Sequence, residues 1–378
     1  MLYKDTDIDS VLFDPDRCEV RGKNINELIG CVDLIQMYAL VVLGIFPSRA
    51  MRDSIESLIC RAFDALNDDH PAIKAVFNAI EAGVPPMRAT ISGLAIGVED
   101  IICQIMDRRA RDIKLSTEHV RGIVLFAILP RLLIASITRV QTESLESVEK
   151  LGFSGRILLG LGAEKARAAK AESVKAFEAA LVSLQAGLGF VNSAVLLARI
   201  AAGTKTDLER ALIAGLTGCG RSGAGESDKA IELLLELQNC KEADASSKMF
   251  RKKIIQWCLN NNGTPGFGHR LFRIDPRAQK LYAHLKYDLG WKNDGFRKYE
   301  SLCKVMLCDF GLYPNVEGLA AVVFLELGLP AKCATGLVLC MRSAAMTAHI
   351  FERRKRPTSG VTSATARAFI QKTLAGWL

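Results

Sequence analysis

Three features of the 378-residue sequence predict an all-α fold. Apolar residues recur at the three- and four-residue spacing of a helix face, as in Ile55, Leu58, Ile59 and Phe63, or Ala230, Leu233, Leu234 and Leu237. The alternation that marks a half-buried strand is nearly absent. Segment 163–181, AEKARAAKAESVKAFEAAL, consists largely of the best helix formers and carries neither Gly nor Pro, which predicts one solid helix with a wet face.

From the N-terminus onward, the one departure from helical patterning comes first. Val11–Phe13 and Glu19–Val20 flank the turn-prone Asp14-Pro15-Asp16, which predicts a short hairpin. The longest apolar runs follow, at Leu34–Phe46, Gly122–Ile137 and Gly318–Met341. Pro130 with Arg131 splits the second, and Glu326 with Lys332 interrupts the third, so none reads as a membrane span of about 20 apolar residues. The opening MLYKDTDIDS is acidic and lacks the apolar stretch of a signal peptide, which predicts a cytoplasmic protein.

The chain exceeds the length at which a single core stops growing, so two lobes are expected. Hydrophobic residues at 49% and charged ones at 24% exclude a disordered or fibrous chain. The net charge of +8, from 49 basic and 41 acidic residues, suits a polyanionic partner. The basic residues are dispersed, however, and the one dense run, Arg353–Arg356, has no aromatic interleaving, which argues against nucleic acid. Eleven cysteines without a CxxC pair read as buried or idle thiols, not a disulfide framework or zinc site.

Two Gly-rich passages break the helical pattern, GLTGCGRSGAG at 215–225 and NNNGTPGFGHR at 260–270, where backbone can approach a ligand closely. Gly218 to Gly223 satisfies the dinucleotide pattern G-x-G-x-x-G, but that pattern should follow a strand and here follows the helical LERALIAGL.

The segment GTPGFGHRLFRIDPRAQKLY (263–282) closely resembles the signature of the citrate synthase superfamily. Other passages resemble it in family order: VRGKNINELIG (20–30), GLGFVNSAVLLARIAAGTKTDLERALIAGLTGCGRSGAGE (187–226), YPNVEGLAAVVFLELGLP (313–330) and CMRSAAMTAHIFERRKRPTSG (340–360). The resemblance implies a helical homodimer. Each chain would have a large domain, 1–226 with 335–378, and a smaller one, 227–334, that closes over acyl-CoA. The activity implied is making or breaking a carbon–carbon bond between an acyl-CoA and a carboxylate-bearing keto acid.

Carried onto this chain, the resemblance makes Glu317 the catalytic carboxylate, one methylene longer than the family's Asp, and His269 the histidine that binds the keto or hydroxyl oxygen. Read without the family, Glu317 is a first-turn carboxylate facing the helix dipole and His269 caps a loop. Arg277, Arg342 and Arg356 match the carboxylate-clamping arginines, whose planar forks suit bidentate recognition. In the family, the arginine at the Arg356 position reaches into the neighbouring subunit's site. Arg273 falls at a CoA-phosphate contact, and the resemblance implies that Gly266, Phe267 and Gly268 bind the CoA with it. Arg221 or Ser222 stands where the synthases carry a histidine that donates to the thioester oxygen, a lack shared with the citryl-CoA lyase-like branch. A second family histidine is replaced within GLGFVNS. His70, His119, His284 and His349 do not cluster with carboxylates at ligand spacing, so no metal is expected, and His349 reads as a packing residue. The alternative is a non-catalytic paralogue that binds acyl-CoA or an organic acid.

Overall fold

A computed structural model describes residues 6–13, 16–106, 115–138, 151–164, 170–218, 227–238, 240, 244–355 and 371. The N-terminal strands β1 (Asp9–Leu12), β2 (Arg17–Val20) and β3 (Lys23–Asn24) form an antiparallel sheet in which Asp9 faces Val20 and Val20 faces Lys23. The predicted hairpin is therefore present, and Asp14 and Pro15 of its turn lie outside the described residues. A second turn at Arg21-Gly22 has φ of 50° and 72°, the pair of positive values that lets a two-residue turn follow the twist of its strands.

Helices account for most of the rest. They are α1 (Ile25–Leu28), α2 (Leu34–Tyr38, prolonged by a π turn at Ala39–Leu43), α3 (Arg49–Ala65), α4 (Pro71–Glu81), α5 (Pro86–Ile96) and α6 (Glu99–Ile105). Next come α7 (Thr117–Ile137), α8 (Phe153–Gly160), α9 (Ala171–Leu184), α10 (Ser193–Ala202) and α11 (Leu208–Thr217). The last are α12 (Ser227–Gln238), α13 (Lys248–Asn260), α14 (Pro276–Ala283), α15 (Asp294–Phe310), α16 (Val316–Glu326) and α17 (Ala334–Arg354). Their starts are written locally. Ser48, Ser116, Asp207 and Ser247 each accept a main-chain N–H of the first turn, and Asp33 with Gln36 forms a complete capping box.

Ile55, Leu58, Ile59 and Phe63 on α3, and Ala230, Leu233, Leu234 and Leu237 on α12, are all buried as their spacing predicts. The stretch 163–181 departs from its prediction. Ala163 and Glu164 are not helical, Lys170 is extended at ψ 119°, and α9 runs from Ala171 to Leu184. Only Ala171, Glu172 and Lys175 are exposed, because the rest of α9 packs beneath α16 and α17. Residues 165–169 lie outside the described residues; propensity alone does not carry the helix through Lys170.

Two helical stretches, Thr117–Ile137 and Ala331–Arg354, have the length and apolar composition of a membrane span; Pro130 and Arg131 do not break the first, whereas the run Gly318–Met341 is broken after Glu326, where α16 ends, and the second stretch begins only at Ala331. The apolar windows of these stretches are 89% and 94% buried within the fold. Pro130 is accommodated inside α7, and the buried Arg131 beside it donates to Asp68 at 2.5 Å, which balances its charge.

Candidate active site

The Gly-rich loop 263–268 lies directly on the N-terminus of α16. Gly266 and Gly268 have φ of 82° and 77°. A Cβ on Gly266 would come within 2.6 Å of Gly318 Cα, and one on Gly318 within 2.4 Å of the Gly266 carbonyl oxygen, so this crossing requires both glycines. Hydrogen bonds then fix it. Gly268 N donates to the Tyr313 carbonyl (2.8 Å), and Asn315 donates from its N to Gly266 O and from Nδ2 to Gly268 O, each at 2.9 Å. Asn315 Oδ1 accepts from Gly318 N at 3.0 Å and caps α16. His269, which follows the loop, and Glu317, in the first turn of α16, are thus held by one rigid junction.

Asp275 and Arg277 form the buried centre of the site, each about 1% exposed. Asp275 caps α14 ahead of Pro276, an N-terminal signal readable in the sequence. Its Oδ1 accepts from Arg277 Nε at 2.9 Å, and its Oδ2 accepts from Arg277 Nη2 at 2.9 Å and from Val316 N at 3.0 Å. Burial alone would raise the Asp275 carboxyl, but the Arg277 guanidinium holds it below the usual range. Arg277 Nη1 is buried and has no partner among the described residues.

His269 Nδ1 accepts from the main-chain N–H groups of Leu271 and Phe272, both at 3.2 Å, which assigns the ring proton to Nε2. Burial, with the nearby Arg277 charge, lowers its pKa to about 4, so the ring is neutral near pH 7. Capping the loop turns Nε2 toward Arg277, whose Nη2 lies 3.2 Å away.

Glu317 Oε2 accepts from Ser227 Oγ at 3.0 Å, and Glu317 Oε1 lies 3.9 Å from Arg342 Nη2. Arg342 Nε is buried and has no partner among the described residues. These groups share a cavity of about 450 Å³, a size suited to a small ligand. Its lining includes Phe267, Gly268, His269, Arg277, Glu317 and Arg342, together with Leu188, Val191, Asn192 and Ser193. One carboxylate, one neutral imidazole donor and two arginines with spare N–H groups can hold an acid and move a proton.

Of the predicted site residues, the cavity therefore brings together Phe267, Gly268, His269, Arg277, Glu317 and Arg342. Gly266 supports it from behind, and Arg273 is exposed and does not line it. Arg221, Ser222 and Arg356 lie outside the described residues. Sequence reasoning missed Ser227, Asn192 and Leu188 as neighbours of the site. Asn192 carries a helix-cap signal, whereas Leu188 reaches the cavity, and Ser227 reaches Glu317, only through packing.

The reading of the other histidines needs correction. His70 sits 3.1 Å from Asp100 and His349 2.9 Å from Asp9, carboxylates brought close by the fold, while His284 sits 2.8 Å from Asp288, four residues on along the same helical turn. Among the described residues no three such groups converge on a metal-sized site. His349 also does more than pack, since its Nδ1 lies 2.9 Å from Arg199 Nη1.

Relatives share this architecture. The chain is 27% identical over 363 residues to the citrate/2-methylcitrate synthase of Bacillus subtilis (strain 168), covering 93% of this chain and 88% of the relative. The citrate synthase of Thermotoga maritima MSB8 superposes with a TM-score of 0.64 at 20% identity over 94% of this chain and 92% of the other. The Thermoplasma acidophilum citrate synthase, solved as a ternary complex with carboxymethyl coenzyme A and oxaloacetate, gives a TM-score of 0.67 at 16% identity over 93% and 90%. The model of the citrate synthase C-terminal domain matches residues 3–360, and the chain belongs to the citrate synthase family.

Proposed function

We propose that the protein makes or breaks a carbon–carbon bond between the α-carbon of an acyl-CoA and a keto acid bearing a carboxylate. The observation that carries this reading is one cavity lined together by Glu317, His269, Arg277 and Arg342, with Arg342 Nη2 3.9 Å from Glu317 Oε1. In the bond-forming direction, Glu317 takes a proton from the α-carbon. The enolate carbon then bonds to the keto carbon, and the keto oxygen, held by His269 Nε2–H, takes a proton and becomes a hydroxyl. Water splitting the thioester releases the CoA thiol. In the cleaving direction the hydroxyl proton leaves, the carbon–carbon bond breaks and Glu317 returns a proton to the enolate. Ser227 restrains the longer Glu317 side chain, so the extra methylene need not misplace its oxygens.

Coenzyme A is the group this reading requires, with the exposed Arg273 available to a phosphate at the edge of the Gly-rich loop. Residues 227–334 would form the smaller closing unit. Homodimerisation is supported by Leu196, Leu197 and Ile200, which expose 39%, 38% and 53% of their surface along one side of α10. Arg356 would complete the neighbouring site.

The test is thiol release, and its reverse, across a panel of acyl-CoAs and keto acids, with Glu317→Gln as control. Turnover by the wild type that falls at least a hundredfold in Glu317→Gln, with CoA binding kept, supports the enzyme. Binding of acyl-CoA or acid with no turnover for any pair establishes the non-catalytic paralogue instead.

A further inference from the structure

The hydrogen bonds of His269 do not by themselves fix its ring. Leu271 N and Phe272 N both donate to Nδ1, each at 3.2 Å, the long end of the ordinary range. Two long bonds to one atom settle where Nδ1 sits and leave the ring free to tip about that point, and the torsion that swings an imidazole about its Cβ–Cγ bond is broad. The contact at the other nitrogen adds no restraint. With the proton on Nε2, the Arg277 Nη2 donor 3.2 Å away pushes the ring off instead of holding it.

Phe272 lies where a restraint is needed. Its ring centroid is 4.8 Å from that of His269 at an interplanar angle of 21°, a stacked arrangement that covers one face of the imidazole. Phe272 is only 2% exposed, so packing prevents it from following a tipping ring. The N-terminal hairpin holds this segment in turn. Asp16 Oδ2, from the turn between β1 and β2, accepts from Ile274 N at 3.0 Å. Phe13, just past β1, brings its ring centroid to 6.5 Å from that of Phe272. Strand β2 also packs against α14, the helix that carries Arg277, so one hairpin abuts both the histidine's segment and the arginine's helix.

We infer that Phe272 and Asp16 are positioning residues for His269. Phe272 clamps the face of the imidazole, and Asp16 fixes the segment whose main-chain N–H groups keep the ring proton on Nε2. The inference rests on the reading of His269 as the group that holds the substrate oxygen.

Long-range proton–nitrogen NMR spectra of the full-length protein, labelled with nitrogen-15 histidine and recorded near pH 7, test it, with thiol release measured in parallel. The His269 signals are identified by their loss in His269→Asn. Wild type should show one tautomer, with the proton on Nε2. Phe272→Leu keeps the apolar bulk without the flat face, and Asp16→Ala removes the acceptor of Ile274 N. Each should populate both tautomers and lower kcat by about ten- to a hundredfold, the scale of loss when a reacting group is misplaced by about 1 Å, with KM for acyl-CoA unchanged. Asp16→Asn, whose side-chain carbonyl oxygen still accepts from Ile274 N, should behave as wild type. Asp16 is partly exposed, so Asp16→Ala carries the test if melting curves show that Phe272→Leu does not fold. A single Nε2–H tautomer retained in either folded variant overturns the role of that residue, and an Nδ1–H tautomer in the wild type overturns both. Asp16→Asn behaving like Asp16→Ala overturns the hydrogen-bond role of Asp16. Absence of thiol release in the wild type overturns the enzyme reading instead, and the spectra then decide the positioning roles alone.

Discussion

His269 Nε2 lies 3.2 Å from Arg277 Nη2, and because His269 Nδ1 already accepts two main-chain N–H groups, both facing atoms are donors. Two donors at that separation repel unless an acceptor oxygen joins them, and this mismatch marks where a substrate oxygen belongs. Removing Arg277 would leave Asp275 buried and uncompensated. Arg277→Ala should therefore destabilise the fold by roughly 3–5 kcal/mol, whereas Arg342→Ala, whose nearest carboxylate is 3.9 Å away, should destabilise it far less while still weakening acid binding. Urea denaturation of the two variants compares them directly, and equal losses would refute the distinction.

Citrate formation from acetyl-CoA and oxaloacetate should be about a hundred- to a thousandfold slower than in an ordinary synthase, the usual loss for one missing site donor. Leu188 and Val191 line the cavity within GLGFVNS, the segment where the resemblance would place a further histidine. Steady-state thiol release with these two substrates measures the rate, and ordinary synthase turnover would contradict the expectation.

The apolar face of α10 gives a third prediction. Leu197 and Ile200, exposed 38% and 53% and close to the cavity residues Asn192 and Ser193, would be covered in a homodimer. Ile200→Asp should convert a dimer to monomers on size-exclusion chromatography and abolish activity, because a buried unpaired charge opposes association. A wild-type chain that elutes as a monomer at micromolar concentration would remove the basis of the dimer.

Glu178 supplies a pH dependence away from the cavity. Burial raises its pKa to about 7, with the Asp33 and Glu56 charges adding to the shift and the Ser154 hydrogen bond, at 2.8 Å, opposing it. A carboxyl whose folded pKa lies above its unfolded value stabilises the fold fully below the unfolded pKa and loses that contribution as pH rises through the folded one. Wild-type stability should thus decline between about pH 4.5 and 7, and Glu178→Gln should gain on the wild type, by on the order of 2 °C in Tm, at pH 8 but not at pH 4. Parallel melting curves that do not diverge with pH would place the Glu178 carboxyl in a more polar setting.

Local sequence carried much of this protein's structure. Helical spacing placed Ile55, Leu58, Ile59 and Phe63 in the core, and Asp275-Pro276 and Asn315 announced the starts of the two helices that bear Arg277 and Glu317. The run from Gly266 to Arg277 placed a histidine and an arginine on one short segment, close enough that local chain geometry joins them. These features depend on interactions across a few residues, which residue type and spacing encode directly. The tertiary structure decided what no spacing could express. Ser227 meets Glu317 across 90 positions, and Asp9 meets His349 across 340. The neutral state of His269 belongs to the same class, since the desolvation and the Arg277 charge that lower its pKa exist only once the chain has closed around it.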